Sequence, residues 1–230
     1  MVTIFQIIIN YSLFYYGLQL VPGALGAVIA GSQPLITALL AALMHEDDKL
    51  TVRKVVTIIS GIAGVILISA GRQAFKFGTA AELLGVGMIL IANSSLSLGN
   101  IIVSMKSKGI NPFVLSSFSL FTGGLALYLI SIPVEGITAG PFPTDYWLIL
   151  LWLSFMAATA FSIWFSLLQR QGVKVSELNL WKFIIPVAGA ILSWLLVPGE
   201  KPEWVTITGM VIITGSLIMF FTNNKESRTN

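Results

Sequence analysis

The sequence predicts an all-α integral membrane protein with about eight transmembrane helices. Of its 230 residues, 56% are hydrophobic and only 10% are charged, whereas charged residues make up about 25% of a typical soluble domain. The mean hydropathy is +0.89. The apolar residues also occur in stretches close to the roughly 20 residues that a helix needs to cross a bilayer. No polar stretch is long enough to form a soluble domain.

Each apolar stretch ends where turn-forming and charged residues begin, which justifies the predicted spans in order. The segments QLVPG, HEDDKLTVRK, GRQAFKFG and MKSKGINP end the first four spans. The segments VEGITAGPFPTD, QRQGVKVSE and VPGEKP separate the last four. The predicted spans are therefore 2–20, 25–44, 52–71, 81–105, 112–132, 146–170, 176–196 and 203–222.

The distribution of Lys and Arg predicts the orientation of the spans, because cytoplasmic loops carry an excess of basic residues. Alternate connections divide these residues into a group of nine and a group of three, and Lys182 alone lies within a span. We expect the larger group, and hence both termini, to be cytoplasmic. That group is Lys49, Arg53, Lys54, Lys106, Lys108, Arg170, Lys174, Lys225 and Arg228, and the smaller one is Arg72, Lys76 and Lys201.

The reactive residue types disfavour an enzyme. Cysteine is absent, which excludes disulfides, thiolate catalysis and cysteine metal sites. His45 is the single histidine, and the adjacent acidic residues 46–48 have the composition of a solvated turn. No phosphate-binding G-x-x-x-x-G-K-[ST] motif occurs. We therefore expect no catalytic residues, no metal and no cofactor. The net charge of +3 reflects the loop bias and indicates no nucleic-acid partner.

Two blocks of the sequence resemble each other. Each contains a proline-bearing span, a short acidic turn and a glycine-bearing span, and one begins at Leu25 and the other at Leu178. The loop charges predict that the two copies are inverted with respect to the membrane, an arrangement typical of secondary transporters. Pro34 matches Pro186, Glu46 matches Glu200 and Gly61 matches Gly215.

Two stretches carry a resemblance to a known family: SQPLITALLAALMHEDDKLTVRKVVTIISGIAGVILI and LNLWKFIIPVAGAILSWLLVPGEKPEWVTITGMVIITG. In both, the chain resembles the EamA family of the drug/metabolite transporter superfamily. The resemblance implies ten helices in two five-helix inverted repeats and a bacterial plasma membrane. Residues 1–73 then form a partial first repeat of three helices, 81–223 form a second repeat of five, and 224–230 form a cytoplasmic tail. The chain looks truncated by about two helices before Met1, and an authentic eight-helix protein is the alternative.

Polar or small residues recur at a spacing of three or four in several spans, which places them along one face of a helix. Helix packing explains any single stripe equally well, and packing is the favoured reading for Gly61, Gly64, Gly209 and Gly215. Several polar stripes together favour a polar cavity, and the resemblance implies that spans 25–44 and 176–196 line it. The candidate cavity residues are Lys182, Asn179, Trp181, Gln33, Asn93, Ser97, Asn100, Tyr15 and Trp164.

Lys182 and Pro186 lie four residues apart in the same span. A proline leaves one carbonyl without its helical partner, so Pro34 and Pro186 are predicted helix bends, with static kinks as the alternative. Lys182 either faces the cavity, where it would favour an anionic or zwitterionic ligand, or extends to the membrane interface. Trp181 either forms an aromatic wall or faces lipid or a neighbouring helix.

The sequence thus favours a secondary transporter of a small organic metabolite, amino-acid-like or otherwise anionic or zwitterionic, working by alternating access. The alternatives are a non-transporting or inactive truncated membrane subunit and, with less support, an intramembrane enzyme. The expected partners are the solute and the lipid bilayer, and homo-oligomerisation is left open.

Overall fold

The structure, a computed structural model, describes residues 1–44, 46–70, 79–136, 140–196 and 202–229. All regular secondary structure within these ranges is helical, as predicted. Five residues on which the sequence analysis drew lie outside the described residues: His45, Arg72, Lys76, Glu200 and Lys201.

Eight helical segments follow one another along the described chain, in agreement with the eight predicted spans. A π-helical turn, Ile4–Ile9, leads directly into α1, Asn10–Leu20. The second segment consists of α2, Gly23–Gly31, and α3, Gln33–Met44. The others are α4 (Val52–Ala70), α5 (Ala80–Lys106), α6 (Pro112–Glu135), α7 (Thr144–Gln169), α8 (Val175–Leu180) with a 3₁₀ turn (Trp181–Phe183) and α9 (Ile184–Leu196), and α10 (Trp204–Thr229).

The lengths and apolar surfaces of these helices are those of an integral membrane protein. Large apolar side chains on α6 and α7 face outward, among them Phe121 and Leu151, as expected where the surroundings are lipid. Six of the described segments are long and apolar enough to cross a membrane: Leu25–Met44, Ala80–Lys106, Pro112–Glu135, Thr144–Gln169, Val175–Leu196 and Trp204–Thr222.

Glycines allow α4 and α10 to approach until their backbones touch. A Cβ atom added to Gly209 would lie 2.6 Å from the Gly64 carbonyl oxygen, and one added to Gly64 would lie 2.7 Å from the Gly209 carbonyl oxygen. A Cβ on Gly61 would lie 2.6 Å from the Phe183 ring. The predicted packing role is therefore confirmed at these three positions. It is wrong at Gly215, because a Cβ added there would meet no atom of another described helix within 4 Å.

Two hydrophobic clusters hold the helices that carry the polar residues. The first joins α4, the 3₁₀ turn and α10, and the second joins α5, α7 and the start of α8. The apolar side chains at their centres are excluded from solvent, so each cluster fixes the rotation of its helices. The first includes Ile58, Val65, Phe183 and Ile213, and the second includes Ile101, Phe165, Leu168 and Val175.

Both prolines follow an interruption of the α-helix. Ser32 separates α2 from α3 two residues before Pro34, and its hydroxyl donates to the Ile29 carbonyl over 2.6 Å. The 3₁₀ turn Trp181–Phe183 ends three residues before Pro186. The sequence predicted irregular helices at these two places, and their movement during a transport cycle stays a prediction.

Aromatic side chains cluster at the beginning of α7. The rings of Phe142 and Tyr146 stack with centroids 4.4 Å apart, and the Trp147 ring lies edge-on to Tyr146 at 5.3 Å. Such aromatic groups are enriched where a helix leaves the hydrocarbon region of a bilayer. The cluster therefore marks one membrane boundary of α7.

Candidate functional site

A network of buried polar side chains joins α3, α5 and α8. Gln33, Asn100 and Asn179 are its central members, and all three are buried. A polar group inside an apolar bundle needs a hydrogen-bond partner, because lipid and apolar side chains provide none. These amides find their partners in one another and in the side chains around them.

Lys182 enters this network from the 3₁₀ turn. Its Nζ donates to Gln33 Oε1 over 2.7 Å and lies 4.8 Å from the centroid of the Trp164 ring. Both contacts direct the ammonium group toward other helices of the bundle, and the alternative that the side chain extends to the membrane interface stays open. No carboxylate among the described residues pairs with it. Glu177, the nearest acid in sequence, lies instead 3.7 Å from Lys174 and 3.9 Å from Lys54.

Lys182 fixes the orientation of the next two amides, because an ammonium group can only donate hydrogen bonds. The Gln33 oxygen accepts from Lys182, so its Nε2 points to Asn179 Oδ1 at 3.3 Å. Asn179 Nδ2 donates to the Val175 carbonyl over 2.8 Å. The Asn179 oxygen is therefore the atom directed at the other amides.

Trp164 fixes the network from the other side, because an indole N–H can only donate. It donates to Asn100 Oδ1 over 3.1 Å, and Gln6 Nε2 donates to the same oxygen over 2.9 Å. Asn100 Nδ2 then faces Asn179 Oδ1 at 3.4 Å. Gln6 Oε1 is buried without a hydrogen-bond partner among the described residues.

A branch of hydroxyl and amide groups connects the network to the break between α2 and α3. The Thr37 and Ser97 hydroxyls lie 2.7 Å apart. Since Ser97 uses its single proton on a backbone carbonyl, Thr37 Oγ1 donates to Ser97 Oγ, and the Gln33 carbonyl oxygen lies 3.0 Å from Thr37 Oγ1. Ser97 Oγ donates to the Asn93 carbonyl over 2.8 Å, and Asn93 Nδ2 donates to the Ile29 carbonyl over 2.8 Å. The last of these bonds ties α5 to the final turn of α2.

The structure brings together seven of the nine candidate cavity residues: Lys182, Gln33, Asn179, Asn100 and Trp164 in direct contact, with Ser97 and Asn93 on the branch. Trp181 lies elsewhere, 48% exposed and stacked on Phe221 with ring centroids 4.8 Å apart. Tyr15 is 60% exposed and contacts Tyr11 and Phe14 edge-on. A role for any of the nine in solute binding stays a prediction.

The sequence analysis did not name Gln6 or Thr37 as site residues. Gln6 lies in the π-helical turn, four residues before Asn10, whose Nδ2 donates to the Ala92 carbonyl over 2.9 Å. That pair of amides at helical spacing in an apolar stretch is the signal that could have found it. Thr37 lies one turn after Gln33 in the stripe that supplied Gln33 itself.

The sequence pattern of the EamA-like transporter family matches residues 1–70 and 83–222, which is most of the chain. The chain belongs to this family. A likeness to a solved crystal structure at a TM-score of 0.77 and 18% identity, covering 91% of this chain and 70% of that one, shows the same fold.

Curated relatives of this EamA-family chain are themselves longer, and some of them are named as transporters. A WAT1-related chloroplastic protein of Arabidopsis thaliana is 28% identical over 187 residues, which are 78% of this chain and 44% of the relative. YyaM of Bacillus subtilis, called an uncharacterized transporter, is 24% identical over 88% of this chain and 65% of its own length. PecM of Dickeya dadantii is 25% identical over 91% of this chain and 68% of PecM. The chain thus spans between about two fifths and two thirds of these relatives.

A second polar junction in this EamA-family chain lies at the start of α8. Asp48, in the connection between α3 and α4, is 1% exposed and accepts a hydrogen bond over 2.6 Å from the Nζ of Lys54, itself 2% exposed. The Ser176 backbone N–H donates to Asp48 Oδ2 over 2.9 Å, and the Ser176 hydroxyl donates to Oδ1. The predicted solvated turn is therefore wrong for Asp48, because a helix from the other end of the sequence covers it.

The junction changes the acidity of Asp48 and holds α8 in place. Burial raises the pKa of this carboxyl, but the hydrogen bonds from Lys54 and Ser176, together with the Lys54 charge, outweigh burial and leave the pKa below its ordinary value. A carboxylate that accepts from the first turn of a helix satisfies N–H groups that otherwise have no partner. Asp48 therefore anchors the helix that presents Asn179 and leads into the Lys182 turn.

Proposed function

We propose that this chain is a secondary transporter, or the larger part of one, for a small organic solute that carries an anionic or zwitterionic group. The solute binds at the network around Lys182, and alternating access between the two inverted repeats moves it across a bacterial plasma membrane. The basic loops and both termini lie in the cytoplasm.

The choice of an anionic or zwitterionic solute rests on one observation: among the residues that the structure describes, only neutral groups contact the Lys182 ammonium. Its contacts are the Gln33 amide oxygen at 2.7 Å and the Trp164 ring face at 4.8 Å. A buried cation without a counter-charge is costly in an apolar medium, and a ligand carboxylate or phosphate would remove much of that cost. Such a group would take the place of the Gln33 oxygen as the acceptor of the Lys182 hydrogen bond.

The position of the network supports alternating access. Gln33 lies in the proposed first repeat, whereas Asn100, Asn179 and Lys182 lie in the proposed second one. Substrate sites of transporters with inverted repeats lie at such an interface, next to helices that are interrupted within the membrane. Here the interruptions at Ser32 and at the 3₁₀ turn flank the Gln33–Lys182 contact.

The test is uptake of labelled solutes into liposomes that contain the purified full chain. The panel holds amino acids, mono- and dicarboxylates, and uncharged polyols of similar size. We expect saturable uptake of an anionic or zwitterionic solute. Lys182→Met should lower uptake of that solute at sub-saturating concentration by about tenfold or more, the factor expected for one hydrogen bond to a charged group. Lys182→Arg should retain part of the activity.

Lys106→Met is the matched control, because this exposed lysine lies at the end of α5 outside the network. It should leave uptake unchanged. Full activity in Lys182→Met would refute the assigned site but not transport itself. Saturable uptake of uncharged solutes only would refute the charge preference. Absence of saturable uptake in the unsubstituted chain, for every solute tested, would favour the non-transporting subunit instead.

A further inference from the structure

A basic recess lies at the same end of the bundle as the Asp48 junction. It has a volume of about 150 Å³ and is lined by Lys108, Arg170 and Lys174, together with Ser104, Asp47 and Asp48. A single buried water needs only about 10–15 Å³ by a comparable measure. The recess is therefore large enough for a small polar group and several waters.

Two different connections supply its three cations, so the fold brings Lys108 to a pair of cations, Arg170 and Lys174, that are more than 60 residues away in the sequence. Lys108 comes from the turn between α5 and α6, Arg170 follows the end of α7, and Lys174 precedes α8. Two glycines with left-handed backbone, Gly109 at φ 90° and Gly172 at φ 76°, shape the first and second of these turns. Other residues adopt this conformation at a cost, so the glycines favour the turns that place the cations.

The recess carries an excess of positive charge. Asp48 is already paired with Lys54 and Ser176, and Lys174 is paired with Glu177 at 3.7 Å. Neither Lys108 nor Arg170 has an ion-pair partner among the residues that the structure describes. Of the two acids in the lining, only Asp47 lies outside the Asp48 junction, and its negative charge would repel an incoming anion.

We propose that this recess binds a phosphate group. An arginine guanidinium binds phosphate oxygens in a two-pronged fashion and lysines bind them as point charges, so this combination suits phosphate better than a single carboxylate. Basic pockets between membrane helices also bind phospholipid headgroups. The group belongs either to an anionic phospholipid or to a soluble phosphate compound. Lys182 lies eight residues beyond Lys174, about 12 Å along a helix, so the recess is distinct from the network around Lys182.

The experiment uses the full chain in a phosphate-free maltoside detergent at constant ionic strength. In one arm, inorganic phosphate is titrated against chloride and the shift in thermal unfolding temperature gives an apparent affinity. In the other arm, native mass spectrometry measures retention of phosphatidylglycerol against phosphatidylcholine. Arg170→Gln should weaken phosphate or phosphatidylglycerol binding by about tenfold, because it removes a hydrogen bond between charged groups. Asp47→Asn should strengthen binding, because it removes the opposing charge.

Lys106→Gln is the matched control, since it removes one positive charge from the same end of the bundle without touching the recess. It should bind as the unsubstituted chain does. Phosphatidylglycerol retention that depends on Arg170 identifies a lipid headgroup, and a response to inorganic phosphate alone identifies a soluble ligand. Equal loss in Arg170→Gln and Lys106→Gln, or no response in either arm, would overturn the proposal. Because solute uptake is not measured here, the result is independent of the proposed transport.

Discussion

Asp48→Asn should destabilise the protein by an amount that the geometry of its junction predicts. The substitution keeps the size of the side chain but removes the charge that neutralises Lys54, and Lys54 is only 2% exposed. Breaking a buried ion pair by removing one partner costs about 3–5 kcal/mol. Lys54 keeps the Lys49 carbonyl oxygen at 3.0 Å and Glu177 at 3.9 Å. We therefore expect a loss at the lower end, about 3 kcal/mol of unfolding free energy.

A double-mutant cycle separates the ion pair from the other contacts of Asp48. The variants are Asp48→Asn, Lys54→Met and the two combined, and the measurement is the free energy of reversible unfolding in mixed micelles, followed by circular dichroism. The combined variant removes both members of the buried Asp48–Lys54 pair, so neither is left without its partner, and it should lose less than the sum of the single variants. We expect a coupling energy of about 1–3 kcal/mol.

Asp47→Asn provides the control, because the neighbouring aspartate is exposed and should change the unfolding free energy by no more than about 0.5 kcal/mol. The reasoning fails if Asp48→Asn is as mild as this control. It also fails if the two single substitutions at the junction are simply additive, since the ion pair would then contribute nothing of its own.

Two further predictions concern acid stability and helix packing. In the folded protein the pKa of Asp48 lies below its ordinary value of 3.8. Its stabilising contribution is therefore complete above pH 3.8 and is lost as the pH falls through the folded-state pKa. Unfolding temperatures measured between pH 6 and 3 should consequently fall less steeply in Asp48→Asn than in the unsubstituted chain. Gly209→Ala should cost about 1–3 kcal/mol, because its Cβ would lie 2.6 Å from the Gly64 carbonyl oxygen. The Cβ of Gly215→Ala would meet no other helix within 4 Å among the described residues, so this substitution should be neutral or stabilising by up to about 1 kcal/mol. Equal unfolding temperatures for the two glycine variants would contradict this packing.

Hydropathy and helical spacing predicted the features that depend on one helix at a time. The eight spans follow from apolar length, and Asn100 and Asn179 follow from polar residues repeated on one face of a helix. In a bundle surrounded by lipid, a polar face has to point inward, so such stripes locate buried networks well. Gln6 was missed because it lies in an apolar stretch, where the polar residues at helical spacing are only Thr3 and Asn10.

Features that depend on distant parts of the chain could not be predicted in this way. The burial of Asp48 requires Ser176, 128 residues later, and within its own acidic segment Asp48 resembles its exposed neighbours. The 3₁₀ turn at Lys182 likewise ends at Phe183, whose ring packs on Gly61 of another helix. Pro186 predicted an irregular helix, but the detailed geometry of that helix depends on the contact between Phe183 and Gly61.

The length of α7 has a consequence for the membrane itself. From Trp147, in the aromatic cluster at its beginning, to Arg170 at its end is a distance of about 34 Å along a helix. The hydrocarbon core of a typical bilayer measures about 30 Å, so a helix of that length spans it with some tilt. A thicker bilayer would let α7 stand more upright and a thinner one would incline it further. Lipid thickness is therefore a variable that acts directly on the helix that carries Trp164.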